Sequence, residues 1–173
     1  MRVLFLDFDG VLNSSRWMHA RPTKEAFALE YNISPEVFSH DIRTWALRSI
    51  DPKAVAALNE IVHRTRARVV VSSTWRTMYA LPKLELMLRR RGFEHHLIGT
   101  TPDASTVRER DDRRISRGEE IQRWLDLTEV DASSAVILDD DGDMDHLTPR
   151  LYQTEYEHGL CAHHVDDVVR LFG

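Results

Sequence analysis

Apolar residues in this chain gather into short unbroken runs, and the main runs end abruptly in acidic or hydroxyl-bearing positions. Residues 3–6 (VLFL), 69–71 (VVV) and 135–138 (AVIL) lack the alternation of a half-exposed strand, so they predict strands buried on both faces of a parallel sheet. The expected strands are 3–6, 68–72 and 135–138, with shorter ones at 96–99 and 151–154. Between them the period lengthens to that of a helix. Asp51 and Pro52 open one such segment as an acidic N-cap with proline at the first helical position, and Val55, Leu58, Ile61 and Val62 carry its apolar face towards Arg66. Leu84, Met87 and Leu88 mark a helix over 81–91 that Gly92 stops. Ile121, Trp124 and Leu125 mark another over 118–125, and Val168, Val169 and Leu171 the last, over 165–172. Strands alternating with helices in this order predict one α/β domain over 1–173 with a mostly parallel sheet.

Residues 14–51 break the rhythm. The stretch is too long for an ordinary connection and carries Arg16, Trp17, Arg21, Trp45 and Arg48 among few aliphatic residues. Placed after the first strand, it suits a cap or lid over that strand's end, where it would help choose a substrate. A surface helix pair with ordinary amphipathic aromatics would use the same residues, and the two roles do not exclude each other. At 173 residues the chain can bury a full sheet without disulfides, and its single cysteine, Cys161, excludes an internal one. A lone thiol suits the reducing cytoplasm. No apolar run is long enough to cross a bilayer, and Met1 leads directly into the first strand, so a soluble, cytoplasmic protein is expected. The net charge of −5 argues against an overall polyanion-binding surface but leaves room for a local one.

The ends of the buried runs carry the candidate chemistry. Asp7 and Asp9 follow the first strand; side chains two apart in extended chain point the same way, so both carboxylates can meet at one spot while Phe8 turns back into the protein. Gly10 then allows a turn that a residue with a Cβ resists. Carboxylates held together in a dry site repel each other, and oxygen-only ligands call for a hard cation such as Mg²⁺. The second strand breaks into Ser72, Ser73, Thr74, Trp75 and Arg76, which suits either a helix cap or a phosphate held by hydroxyl and backbone N–H groups, with Arg76 as a charged donor. Arg117 stands at a loop-to-helix junction facing the same side. The fourth run ends in Asp139, Asp140, Asp141, Gly142 and Asp143, an acidic density that harms stability and reads as metal ligation. Cys161, His163 and His164 do not have the spacing of a zinc site. Ligands of open parallel sheets bind beyond the carboxyl ends of the strands, where Asp7, Asp9, Ser72, Asp139 and Asp140 all fall.

These motifs together resemble the haloacid dehalogenase (HAD) superfamily: DFDGVL as the first, Ser72 as the second, Arg117 as the third, Asp139 and Asp140 as the fourth. More narrowly, SSTWR, RGEEIQRWL and VILDDDGDM look like the HAD domain of Swiss Army knife RNA-repair proteins. The resemblance covers nearly the whole chain. It implies a Rossmann-like, HAD-like fold with helices on both faces of the sheet and the 14–51 insertion as a cap. It implies Asp7 as the nucleophile that becomes an aspartyl phosphate, and Asp9 as the acid and base. It further implies Mg²⁺ on Asp7, the Asp9 carbonyl and Asp140, with Asp139 and Asp143 in support. Ser72 or Ser73 would bind phosphoryl oxygens and Arg117 would neutralise their charge. The family usually has lysine where Arg117 stands; arginine can make a two-pronged phosphate contact, and Arg113 or Arg114 could serve instead. Dehalogenases lack the second aspartate and the metal cluster, so a phosphatase is expected. Its substrate would be a nucleic-acid end or a nucleotide, with Trp17, Trp45 and Trp75 able to stack bases and arginines such as Arg76 near phosphates. A broad small-metabolite phosphatase and a non-catalytic phosphate-binding module of the same fold are the alternatives.

Overall fold

A computed structural model describes residues 1–32, 34, 42–103 and 115–173. Its centre is a five-stranded sheet of β1 (Val3–Leu6), β2 (Arg68–Val71), β3 (Leu97–Thr100), β4 (Ala135–Asp139) and β5 (Leu151–Gln153), in the order β3-β2-β1-β4-β5. Every pairing is parallel. Around it lie α1 (Ser15–Ala20), α2 (Lys24–Glu30), α3 (Ile42–Ser49), α4 (Pro52–Thr65), α5 (Trp75–Met78), α6 (Leu81–Arg90), α7 (Arg117–Thr128) and α8 (Val165–Leu171).

The unbroken apolar runs do what their pattern requires, because both sheet faces are covered. Leu4, Leu6, Val69, Val71, Val136 and Leu138 point into the larger core with residues of α4, α6 and α8. Val3, Phe5, Val70, Ala135 and Ile137 meet Ile121 and Leu125 of α7, with Met144 and Leu147. The Asp51 side chain caps α4 by accepting from the Lys53 N–H at 2.8 Å, and Arg66 ends it in the left-handed conformation at φ 57°. At α7, Ser116 and Glu119 form a reciprocal capping box, so the helix begins at Arg117 and runs on to Thr128, longer than its apolar positions alone suggest.

Register aligns the strand ends. Leu6, the last residue of β1, pairs with Val71 on one side and Leu138 on the other. The Asp7 N–H donates to the Leu138 carbonyl at 2.9 Å and the Ser72 N–H to the Leu6 carbonyl at 2.8 Å. Asp7, Ser72 and Asp139 therefore leave the sheet abreast. Strand order reverses between β1 and β4, so this is also the switch point where open α/β sheets leave a crevice.

The described part of 14–51 is tied into the domain. Phe27 and Ala28 of α2, Ala46 and Leu47 of α3, and Ile50 are buried in the larger core. Tyr31 donates its hydroxyl hydrogen to the Arg90 carbonyl at 3.0 Å, and Arg91 Nε donates to the Ile50 carbonyl at 2.9 Å.

Candidate active site

The turn after β1 sets the site's floor. The Phe8 carbonyl accepts from the N–H groups of Val11, Leu12 and Asn13, folding the chain back while the Phe8 ring is buried. Gly10 sits at φ 68°, and a Cβ there would lie 2.2 Å from Asp140 Cγ. Two separate constraints thus require glycine: backbone conformation and the packed carboxyl. Thr154, just after β5, donates its hydroxyl hydrogen to the Gly10 carbonyl at 2.8 Å and pins the turn from the other side.

Asp7, Asp139 and Asp140 each offer a carboxylate oxygen, and these oxygens lie within 4.8 Å of one another. Burial raises the Asp7 pKa to about 7, against the opposing pull of the Ser73 hydroxyl and the Arg117 charge. Asp139 is pushed up to about 8, by burial first and by the neighbouring Asp7 second. Burial also raises Asp140. Asp139 Oδ1 accepts from the Asp141 N–H at 3.0 Å, whereas buried Oδ2 has no hydrogen-bond partner among the described residues. A buried oxygen with no hydrogen bond and only a 3.7 Å approach from Arg117, within a group of crowded, hard oxygen donors, fits a divalent cation, which would satisfy that oxygen and relieve the repulsion. Both Asp139 and Asp140 belong to this group. Asp143 is used differently: its carboxylate accepts from the Arg117 N–H at 3.2 Å and its carbonyl from the Gly118 N–H at 3.0 Å.

Asp9 is held apart from the cluster. Its Oδ1 accepts from Asn13 Nδ2 at 2.7 Å and its Oδ2 from the Trp75 indole N–H at 3.0 Å. The two serines divide their work, for Ser73 hydrogen-bonds Asp7 while the buried Ser72 Oγ has no partner among the described residues. Arg117 places Nε 3.7 Å from Asp139 Oδ2 and NH1 3.4 Å from Glu120. Arg113 and Arg114 lie outside the described residues.

The expectation that Arg76 and Trp75 meet the substrate needs correction. The Arg76 side chain, only 5% exposed, pairs with Glu120 at 2.6 Å and donates to the Ser73 carbonyl at 2.6 Å and the Pro102 carbonyl at 3.4 Å. Its fork braces α5 against α7. Trp75 is buried, with its ring stacked on Phe8 at 4.8 Å. Trp17 is likewise engaged, donating its indole hydrogen to the Arg48 carbonyl at 3.3 Å with the Arg91 guanidinium 5.6 Å from its ring centre. Asn13, Glu120 and Thr154 were not foreseen. Asn13 four residues after Asp9 and Glu120 three after Arg117 were the available signals, since both spacings allow side chains to meet across a turn.

The family model for the HAD domain in Swiss Army Knife RNA repair proteins matches residues 3–165. The chain belongs to that family. As a HAD domain it is a HAD-type hydrolase; such domains generally use a metal ion, and its acidic cluster could bind one. Among solved structures, a haloacid dehalogenase-like family hydrolase from Streptococcus pneumoniae is similar at 11% identity over 99% of this chain and 90% of that one, with a TM-score of 0.46. No curated protein matches the HAD domain described here. Among the described residues, no helix is long and apolar enough to cross a membrane.

Proposed function

We propose that this HAD domain is a Mg²⁺-dependent phosphomonoesterase working through an aspartyl phosphate on Asp7, with phosphorylated nucleic-acid ends or nucleotides as substrates. The observation that carries this reading is the separation of the two first-strand carboxylates. Asp7 lies with Asp139 and Asp140 near Ser73 and Arg117, while Asp9 is held separately by two N–H donors. A site that only bound phosphate would have no use for a second carboxyl so placed.

In the first half-reaction the Asp7 carboxylate attacks phosphorus, the bond from phosphorus to the ester oxygen breaks, and Asp9 gives its proton to that departing oxygen. In the second, Asp9 takes a proton from water as the water oxygen attacks phosphorus, and the bond to Asp7 breaks to release phosphate. The Ser72 hydroxyl, buried at the end of β2 and without a hydrogen-bond partner among the described residues, would be assigned to the phosphoryl oxygens, and Arg117 would offset charge spreading over them. Mg²⁺ would be held by Asp7, the Asp9 carbonyl and Asp140, with Asp139 beside them, and when bound it offsets the repulsion between anionic carboxylate and anionic phosphoryl group. Residues 14–51 serve as the substrate-choosing cap, because α3 sets the half-exposed Trp45 ring 6.4 Å from that of Trp75, which holds Asp9. The lone thiol of Cys161 suits a cytoplasmic setting.

Asp7→Asn is expected to abolish phosphate release with the melting profile retained; turnover surviving that change removes the mechanism. The substrate half is tested by comparing 3′- and 5′-phosphorylated oligonucleotides with mononucleotides and sugar phosphates. If oligonucleotides prove no better than small esters, the metabolite reading replaces the nucleic-acid one.

A further inference from the structure

Trp75 is more deeply buried than a substrate-contacting aromatic, yet its indole meets Asp9 directly and its backbone reaches Asp7 through Ser73. It is 2% exposed, with the Phe8 ring stacked at 4.8 Å and 29° and the Trp45 and Tyr79 rings at 6.4 and 5.9 Å. Its backbone N–H donates to Ser73 Oγ at 3.3 Å, and Ser73 in turn hydrogen-bonds Asp7. Its indole N–H donates to Asp9 Oδ2 at 3.0 Å. On the other oxygen, Asn13 Nδ2 donates at 2.7 Å, and Asn13 is itself fixed because its Oδ1 accepts from the Gly10 N–H at 3.1 Å.

We infer that Trp75, assisted by Asn13, is a positioning residue that aims the Asp9 carboxyl at the leaving oxygen of the ester. This rests on the phosphomonoesterase reading above and adds to it the means by which the acid is oriented. An aspartate at the end of a turn can rotate about two bonds. One donor on each oxygen removes that freedom, and each oxygen keeps a second lone-pair position on which the transferred proton can sit. The stacked Phe8 ring, within a site that leaves the indole 2% exposed, fixes the indole plane and therefore the direction of its single N–H. Proton transfer needs this precision, because a displacement of about 1 Å in a catalytic group can cost on the order of 100-fold in rate.

The test uses leaving groups that differ in their need for a proton. An alkyl phosphate must be protonated as it departs, whereas p-nitrophenyl phosphate leaves as a stabilised anion. kcat/KM reports the steps through leaving-group departure, so misaiming Asp9 should penalise the alkyl ester selectively. Trp75→Phe keeps an aromatic against Phe8 and removes the N–H. We expect kcat/KM for the alkyl ester to fall by on the order of 10- to 100-fold, through kcat rather than KM, and at least about tenfold more than for p-nitrophenyl phosphate. A second variant carrying 3-benzothienylalanine at position 75 keeps the shape of the indole with sulfur in place of N–H, and should show the same selective loss even where the phenylalanine variant folds poorly. Equal losses on the two esters, or full alkyl activity in the sulfur analogue, overturn the positioning role while leaving the hydrolase intact. A wild-type chain that releases phosphate from neither these esters nor a phosphorylated oligonucleotide overturns the phosphomonoesterase reading and this inference with it.

Discussion

Gly10 shows how much of the site depends on one missing side chain. Its φ of 68° and the 2.2 Å separation of a built Cβ from Asp140 Cγ act together, so Gly10→Ala should both strain the turn, by about 1–2 kcal/mol, and displace the Asp140 carboxyl from the acidic cluster. Mg²⁺ titration should show weakened affinity beyond what the lower melting temperature explains. The crowded carboxylates make a second expectation. Asp7 and Asp139 titrate near 7 and 8 in the fold, well above ordinary aspartate, so the folded state keeps protons that the unfolded chain releases. In ion-free protein, their contribution to stability is complete below about pH 4 and fades as pH rises through the raised values. A cation replaces the lost protons. The gain in melting temperature on adding Mg²⁺ should therefore grow between pH 5 and 8, and a gain that stayed flat or shrank would place the ion elsewhere. That Asp7 and Asp9 follow β1 was legible because a buried run and a single glycine are local facts; the two-residue period suggested that their carboxylates meet, whereas Asp9 turns to Asn13 and Trp75 and stays out of the acidic cluster. The directions of Trp75 and Arg76 were not legible, because they depend on Phe8, Pro102 and Glu120, which are remote in the chain.

Elements were legible to the same extent that their causes were local. The buried runs of β1, β2 and β4 and the capped α4 match their patterns closely, and β3 and α7 differ only at their ends. What the pattern did not reveal is the joint between α5 and α7. Arg76, which looked like a phosphate donor, meets Glu120 at 2.6 Å, and the same Glu120 carboxylate stands 3.4 Å from Arg117. One carboxylate thus anchors a structural arginine and orients a candidate phosphate-binding one. Losing the closer of these two arginines leaves the buried Glu120 carboxylate with the longer Arg117 contact, so Arg76→Met should destabilise the fold by about 2 kcal/mol. Combining it with Glu120→Leu should recover part of that stability, since the buried, under-compensated carboxylate goes too. Activity should not recover with it, because Arg117 then lacks its anchor. Chemical denaturation alongside phosphate release separates the two outcomes, and recovery of both together would show that Glu120 serves α5 alone.

At the scale of the whole molecule, the sheet's switch point brings the four motifs together, and on the function proposed above substrate choice would rest with what α3 lays beside them. The net charge of −5 offers little general attraction for a polyanion. Affinity for a nucleic-acid end would then have to come from local contacts, with stacking the strongest available. Of the tryptophans expected to stack bases, Trp17 and Trp75 are engaged inside the protein, and Trp45 keeps 45% of its surface exposed. Its ring adjoins Trp75, whose N–H holds Asp9, so on the proposed function Trp45 is the tryptophan left to take a base beside the site. Base–aromatic stacking contributes about 1–3 kcal/mol, which converts to roughly 5- to 150-fold in affinity. Trp45→Ala should therefore raise KM for a phosphorylated oligonucleotide by about tenfold and lift KM for a small sugar phosphate far less. Binding should also lose little between low and moderate salt, because stacking, unlike phosphate contact, releases no counterions. A steep salt dependence with KM unmoved by Trp45→Ala would shift recognition to arginines along the phosphate backbone. An equal rise for both substrates would make Trp45 a wall of the pocket rather than a platform for a base.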